Sequence, residues 1–393
     1  MNKSNVDVLA PSLRFQGFNK NWIKGPLGPL TIKVGSGVTP RGGSSVYTPT
    51  GVLFIRSQNV KNDQLDLSDP TFIPPSVHSV MSGSRVQPKD VLLNITGASI
   101  GRSCVVPGRV QEANVNQHVC ILRLEDVLDP NFLQSFLSSW RGQKLVYQSQ
   151  AGGGREGLNF ENIRTFIFNI PELPEQQKIA AFLSAVDTKS QQLQRKKELL
   201  EQYKKGIMQK IFSQEIKFKD EDGNDYPDWE DKRLSDTLKS IPTKPYQILK
   251  SDILPEGPFP VIDQGQKDIA GYTHNSPKLF NNGACIVYGD HTTIVKYIDY
   301  DFVVGADGTK LLQSETENMK FMFYNILFNN IEPEGYKRHF SILKTITLNI
   351  PCLDEQSKIE VILSSIDKKT LIVNNELTAM TDFKKGLLQQ MFI

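Results

Sequence analysis

Histidine and cysteine, common where a protein binds metal or performs chemistry, are scarce here: five and four among 393 residues. Neither type clusters. Cys104, Cys120, Cys285 and Cys352 lie too far apart for any CxxC pair, which removes the usual zinc-site spacing. The start, MNKSNVDVLAPSLRF, lacks the apolar core of an export signal, so the even cysteine number does not argue for disulfides and a reducing cytoplasm is expected. There is no P-loop GxxxxGK[ST], no dinucleotide-binding GxGxxG and no GxSxG elbow. No apolar run approaches the roughly 20 residues of a membrane span, so a soluble chain with no membrane role is expected. A polybasic composition is also missing, since net charge is only +2 and the isoelectric point near 8.2. Bulk charge therefore does not announce a nucleic-acid partner. These absences together point to a chain that is not an enzyme and holds no metal or cofactor of its own.

What is present is a repeat. Residues 169–212, NIPELPEQQKIAAFLSAVDTKSQQLQRKKELLEQYKKGIMQKIF, return at 349–392 with a constant offset of 180 and 17 identities in 44 positions. Within each copy an apolar residue falls at every seventh position: Ile179, Val186, Leu193, Leu200 and Ile207, then Ile359, Ile366, Val373, Met380 and Leu387. That spacing is a coiled-coil seam, and the two helices are expected to pack on each other. A helix of about 36 residues starting at Glu175 would be ~54 Å long, a spacer. Pro171 and Pro351 end a preceding β-like run, and Glu175 and Glu355 place an acid in the first turn, where the helix dipole favours it. Near the far end Lys204, Lys205 and Gly206 recur as Lys384, Lys385 and Gly386. The lysines suit the negative pole of the helix, and the glycines suggest close packing rather than a cap.

A weaker repeat opens each half, with Leu13, Arg14, Phe15, Trp22 and Leu27 echoed by Ile216, Lys217, Phe218, Trp229 and Leu234. Between opening and closing lie short apolar runs punctuated by Gly, Pro, Asn and Asp, such as DVLLNIT and ACIVYGD, which read as strands and turns. Helical stretches follow, PNFLQSFLSSW and NMKFMFYNILF. The expected fold class is α+β: two globular domains, 1–165 and 215–345, separated by helical spacers, 166–214 and 346–393. The two middles share no obvious sequence similarity.

The loops of the first middle are rich in groups that suit base edges and phosphates. GSGVTPRGGSSVY carries Arg41, Ser44 and Tyr47; RSQNV carries Arg56, Gln58 and Asn59; NITGASIGRS carries Thr96, Ser99 and Arg102; Asn116, Gln117 and Arg155 follow. Arginine can fork onto guanine and Asn or Gln onto adenine, while hydroxyls and glycine backbone hold phosphates. The second middle offers a different set: Lys244 and Tyr246, then Gln264 and Gln266, then His291, Thr292 and Lys296, and finally Lys337 and Arg338. Each residue alone is an ordinary polar turn residue; their recurrence loop after loop is the signal, and unlike sets imply unlike targets. One misleading pattern is Pro227, Asp228, Glu230 and Lys232, which spell a nuclease-like P-D-x-E-x-K, but its two acids sit two residues apart in an acidic stretch rather than on neighbouring strands.

The duplicated NIPxLxEQxKI with a helix ending in KKGxxQxxF, together with QPKDVLLNITGASIGRS, NVNQHVCILRL, VIDQG and GADGTK, resembles the specificity subunit of type I restriction-modification enzymes over nearly the whole chain. The resemblance implies two target-recognition domains on double-stranded DNA, each reading half of a split asymmetric site, and two antiparallel helices that set the gap. It further implies two modification subunits carrying S-adenosylmethionine and two ATP- and magnesium-dependent restriction subunits as partners. The residues by themselves leave open a second reading, a non-catalytic coiled-coil adaptor that does not read DNA.

Overall fold

The computed structural model describes residues 10–61, 63–150, 157–305, 307–335 and 337–393. The chain forms two compact units, one of residues 1–194 with 375–393 and one of residues 195–374. Both long helices, Leu173–Phe212 and Leu353–Gln390, cross the boundary, so each unit contains a piece of both repeat copies.

In the first unit, the opening strand Ile23–Pro26 pairs antiparallel with Ile167–Ile170, Ile23 opposite Ile170. An antiparallel sheet follows in the spatial order Thr31–Ser36, Val119–Leu124, Val91–Asn94, Ser103–Val105. A second sheet runs Phe72–Ile73, Val52–Ile55, Ala113–Val115, Arg85–Val86, and its central pair is parallel. Val91–Asn94 is buried throughout because both faces are covered: Val91 and Leu93 point to the core shared with the helices, Leu92 to the core under the second sheet. That is why Val91, Leu92 and Leu93 form a continuous apolar run rather than an alternating one.

The second unit repeats the plan. Glu230–Arg233 pairs with Thr347–Ile350, Glu230 opposite Ile350. Its antiparallel sheet has the order Lys239–Ile241, Thr309–Gln313, Cys285–Gly289, Val295–Ile298, and its other sheet holds the parallel pair Phe259–Ile262 and Val303–Val304. Ile286 and Tyr288 face the helix-side core, Cys285 and Val287 the opposite one. Two middles without visible sequence similarity thus share one plan, although the second sheet here has three strands where that of the first unit has four. Cys104, Cys120 and Cys285 are buried and unpaired, and burial pushes each thiol up to about 12.

The helices are longer than the expected span, 40 and 38 residues, because they begin at Leu173 and Leu353. Pro174 fits in the first turn, where its missing N–H would have had no partner. Seven seam positions are buried: Ile179, Val186, Leu193, Ile359, Ile366, Val373 and Leu387; Leu200, Ile207 and Met380 are half-buried. The seam is not helix against helix alone. Ile179 and Val186 share a core with Phe132, Phe136, Leu387 and Phe392 of the first unit, and Ile359 and Ile366 share one with Phe321, Tyr324, Met208 and Ile211 of the second.

Within each unit the helix segments run antiparallel. In the first, Lys384 bridges Asp187; in the second, Lys204 bridges Asp367 at 2.6 Å and Lys197 donates to the Asn374 side-chain oxygen at 3.1 Å. The first lysine of each repeated pair, Lys204 and Lys384, therefore reaches a carboxylate on the facing helix instead of serving the helix end as expected. The glycines beside them are not close-packed either, for a Cβ on Gly206 or Gly386 would meet nothing within 4 Å.

The acid and amide of the repeated Glu-Gln pair tie each helix start to its globular domain. Glu175 is buried and accepts a two-pronged bond from Arg14, 2.7 Å on each oxygen, while Glu355 accepts from the Trp229 indole at 3.0 Å. The Gln176 oxygen accepts the backbone N–H of Asp129 (2.8 Å), the residue that caps the helix Pro130–Ser138, and its nitrogen donates to the Pro171 carbonyl (2.9 Å). Gln356 does the same to Asn318, cap of the helix Met319–Phe328, and to Pro351, again 2.8 and 2.9 Å. Removing either amide leaves a buried donor and acceptor unmet, a cost of about 1–3 kcal/mol. Gln176→Ala and Gln356→Ala should each lower unfolding free energy in denaturant titrations by that amount, and by similar amounts; an effect within error of zero for either would contradict the tie.

Candidate nucleic-acid interface

Loops at one end of the two sheets carry most of the polar residues singled out in the sequence. In the first unit the turn after Thr31–Ser36 comes so close to the end of Ala113–Val115 that a Cβ on Gly37 would lie 1.6 Å from the Val115 carbonyl oxygen. Only glycine allows that approach. The Gly37 N–H donates to the Asn116 carbonyl (3.2 Å), and the Thr39 hydroxyl then reaches the Gln117 side-chain oxygen. The Gln117 amide nitrogen lies 3.0 Å from His118 Nε2, and His118 Nδ1 lies 2.6 Å from Thr96 Oγ1, each within hydrogen-bonding distance. Three loops are thus joined through one exposed glutamine whose amide orientation is set. A glutamine amide has a further N–H and a further oxygen lone pair, the donor–acceptor pair that matches an adenine edge.

Beside this chain, the Tyr47 ring packs on Phe54 with a centroid distance of 5.7 Å, and the Arg56 guanidinium lies over it at 5.9 Å. Arg41, Ser44, Gln58 and Arg102 are exposed. The turn bearing Arg102 depends on Gly97 and Gly101, both left-handed at φ +72° and +85°. Other members of the expected set face inward. Asn59 is 4% exposed; its side-chain oxygen accepts from Arg56 N–H (3.0 Å) and its amide donates to the Asp66 carbonyl (3.1 Å). Asn116 is buried and accepts the His118 N–H at 3.1 Å, and Ser99 Oγ accepts from Asn94 at 3.1 Å. These three fasten loops instead of presenting groups outward. Arg155 lies outside the described residues.

In the second unit the hub is Gln264, whose oxygen accepts the His291 N–H (3.1 Å) and whose nitrogen donates to the Asp307 carbonyl (2.8 Å). Gly308, left-handed at φ +81°, passes so near that a Cβ would lie 2.7 Å from the Gln264 nitrogen. Thr292 donates to the Gln264 carbonyl at 2.6 Å, and His291 Nδ1 sits 3.2 Å from the Lys337 carbonyl oxygen. Lys296, read from the sequence as a reader, is 7% exposed; its ammonium donates to the carbonyls of Asp263 (2.8 Å) and Lys267 (2.6 Å), and burial pulls its pKa down. Tyr246 packs edge-on against Phe280 (5.0 Å) and its hydroxyl accepts from Asn282. Gln266, Lys244, Lys337 and Arg338 are exposed. Sequence reasoning missed Thr39 and Asp307, whose partners lie 78 and 43 residues away, so no local pattern marks them.

A family model for the type I restriction modification DNA specificity domain matches this chain twice, at residues 79–202 and 226–380, together more than half of its length. The chain belongs to the type I restriction-modification DNA specificity family. Over 156 residues it is 30% identical to the specificity subunit of the Escherichia coli type I restriction enzyme EcoR124I/EcoR124II, a stretch that is 37% of this chain and 38% of that protein. It is 21% identical over 373 residues to the putative type I restriction enzyme MjaX specificity subunit of Methanocaldococcus jannaschii, covering 86% of this chain and 85% of that one. Among solved structures, the type I restriction-modification S subunit from M. genitalium shares the fold over 98% of this chain and 99% of its own, with a TM-score of 0.66 at 16% identity. A chain from a type I restriction-modification assembly matches over 94% and 97%, with a TM-score of 0.52 at 15% identity.

The division between inward and outward residues has a direct test. Asn59→Ala should destabilise the chain by about 1–3 kcal/mol, since two buried loop contacts are lost, whereas Arg102→Ala should change stability by less than about 0.5 kcal/mol. Equal losses in thermal unfolding would contradict the placement.

Proposed function

We propose that this chain is the DNA-reading, non-catalytic component of a type I restriction-modification assembly, with the loops of the first unit reading one half of a split target and those of the second unit the other. The observation that carries this is one plan built twice with different side chains on corresponding loops: Arg56, Arg102 and Gln117 in the first unit, Gln264, His291 and Asp307 in the second. Unlike readers on like frames recognise an asymmetric sequence. The long helices offer exposed apolar side chains, among them Leu199, Tyr203, Leu371 and Ile372 in the second unit, to the modification subunits expected to dock there. In this reading S-adenosylmethionine belongs to the two modification subunits, and ATP and magnesium to the two restriction subunits. The near-zero net charge is consistent with partners contributing part of the phosphate contact.

Co-expression with the neighbouring modification subunit in a host free of adenine methylation, followed by genome-wide mapping of N6-methyladenine, should yield one motif of two unlike halves and a fixed gap. Arg102→Ala should then relax one half only, by the equivalent of about 1–3 kcal/mol per lost base contact. A blank map from a confirmed complex would contradict the proposal, and equal relaxation of both halves would remove Arg102 from the reading set.

A further inference from the structure

The two lysine–aspartate bridges between the long helices are equivalent by the repeat, since Asp187 and Lys204 recur 180 residues later as Asp367 and Lys384. Their surroundings differ. In the second unit Asp367 also accepts from the Tyr324 hydroxyl at 2.6 Å, and Lys204 lies 4.9 Å above that ring. Tyr324 is a fully buried core residue of the helix Met319–Phe328, so this bridge ends in the domain core.

In the first unit Lys384 holds a second carboxylate, that of Asp63, which also accepts from Ser138 Oγ (2.6 Å) and from the Gln134 amide. Asp63 is not on a helix but in the loop after Val52–Ile55, and its backbone is left-handed at φ +69°, a region that aspartate enters more readily than most L-residues. Its N–H donates to the Ser103 carbonyl at 3.0 Å, beside Arg102. The same loop returns through Asp66, whose N–H donates to the Asn59 carbonyl (2.8 Å) and whose carbonyl receives the Asn59 amide. One fixed aspartate therefore ties together the segment of Arg56 and Gln58 and the segment of Arg102. Burial opposes the Asp63 charge, but Lys384, Ser138 and Gln134 more than offset it and hold the carboxyl below its usual range. Burial keeps the Asp187 carboxyl above its usual range although it shares the same ammonium.

The geometry points to Lys384 and Asp63 as positioning residues for the DNA-reading loops of the first unit: an ammonium on the second long helix fixes a left-handed aspartate, and that aspartate sets where Arg56, Gln58 and Arg102 stand. The inference rests on the reading of the chain as a DNA-specificity component. It makes the two bridges unequal. Lys384 acts on base reading; Lys204, whose bridge meets only helix and core, does not.

The test uses the full chain with its modification subunit and compares parent, Lys384→Met and Lys204→Met by methylation mapping. Lys384→Met should lower base preference in one half of the split motif by about tenfold, the ratio equivalent to about 1.4 kcal/mol, and leave the other half intact. Lys204→Met should alter neither half. Hydrogen exchange on the same proteins separates repositioning from unfolding: the Asp63 amide should exchange faster in Lys384→Met while the amides of Val91–Asn94 stay protected. If Lys384→Met does not fold, Asp63→Asn, which removes the charge and keeps the shape, should give the same one-sided loss. Unchanged preference in a variant with a released Asp63 amide would overturn the inference, as would equal losses from Lys384→Met and Lys204→Met. A parent that yields no split motif would instead defeat the functional reading, before any substitution is made.

Discussion

Lys204 meets Asp367 on the facing long helix and Lys384 meets Asp187, so one pair of repeat positions is used twice with the roles exchanged across the seam. An apolar seam alone tolerates sliding, because one leucine-sized contact resembles the next. Ion pairs do not, since a shift along the axis separates lysine from aspartate, and at the more buried Lys384–Asp187 site it also strands charge where there is little water. The same register brings Leu387, Leu388, Met391 and Phe392 into the core of the first unit and Met208 and Ile211 into that of the second. Each reading domain is therefore completed by a helix segment from the other repeat copy. Neither half of the chain contains a full unit by itself.

On that frame the repeated and the unlike parts of the two halves have different physical duties. The repeated residues, Glu175 and Gln176 with Glu355 and Gln356, fasten helix starts to the domains, the glutamines through hydrogen bonds of matching length and the glutamates through unlike partners. The unlike residues lie on loops at sheet ends, where backbone carbonyls and glycines at positive φ fix the turn and leave a few side chains outward. Gln117 is oriented by Thr39 and His118 before any partner arrives, so little ordering is left for binding to demand.

The helices and the two-part plan were legible because a period of seven and an offset of 180 are long-range regularities of the sequence itself. The strand runs were legible for a similar local reason, as Val91–Leu93 and Cys285–Gly289 are unbroken runs without a charged or amide side chain. What could not be read was the destination of single polar groups. Nothing in residue type separates Asn59 and Lys296, which hold loops from inside, from Gln58 and Gln266, which face out. The partners that decide it are backbone carbonyls, up to 33 residues away in the case of Lys296. Lys204 and Lys384 were misassigned to helix ends because their carboxylate partners lie 163 and 197 residues off, and such pairing has no local signature. The shared plan of the two middles was invisible for a related reason: a sheet sandwiched on both faces asks only for apolar residues, and many sequences satisfy it.

Chemical cross-linking across the seam is the most direct test of the copy-on-copy register. In a Cys352→Ser background, Lys197→Cys combined with Asn374→Cys places thiols on side chains whose native ends are 3.1 Å apart. A short bismaleimide should join them within one chain, rapidly and in high yield, while either single cysteine gives no such product. Cross-links that form only between two chains, or none at all in a folded protein, would contradict the antiparallel register on which both reading domains depend.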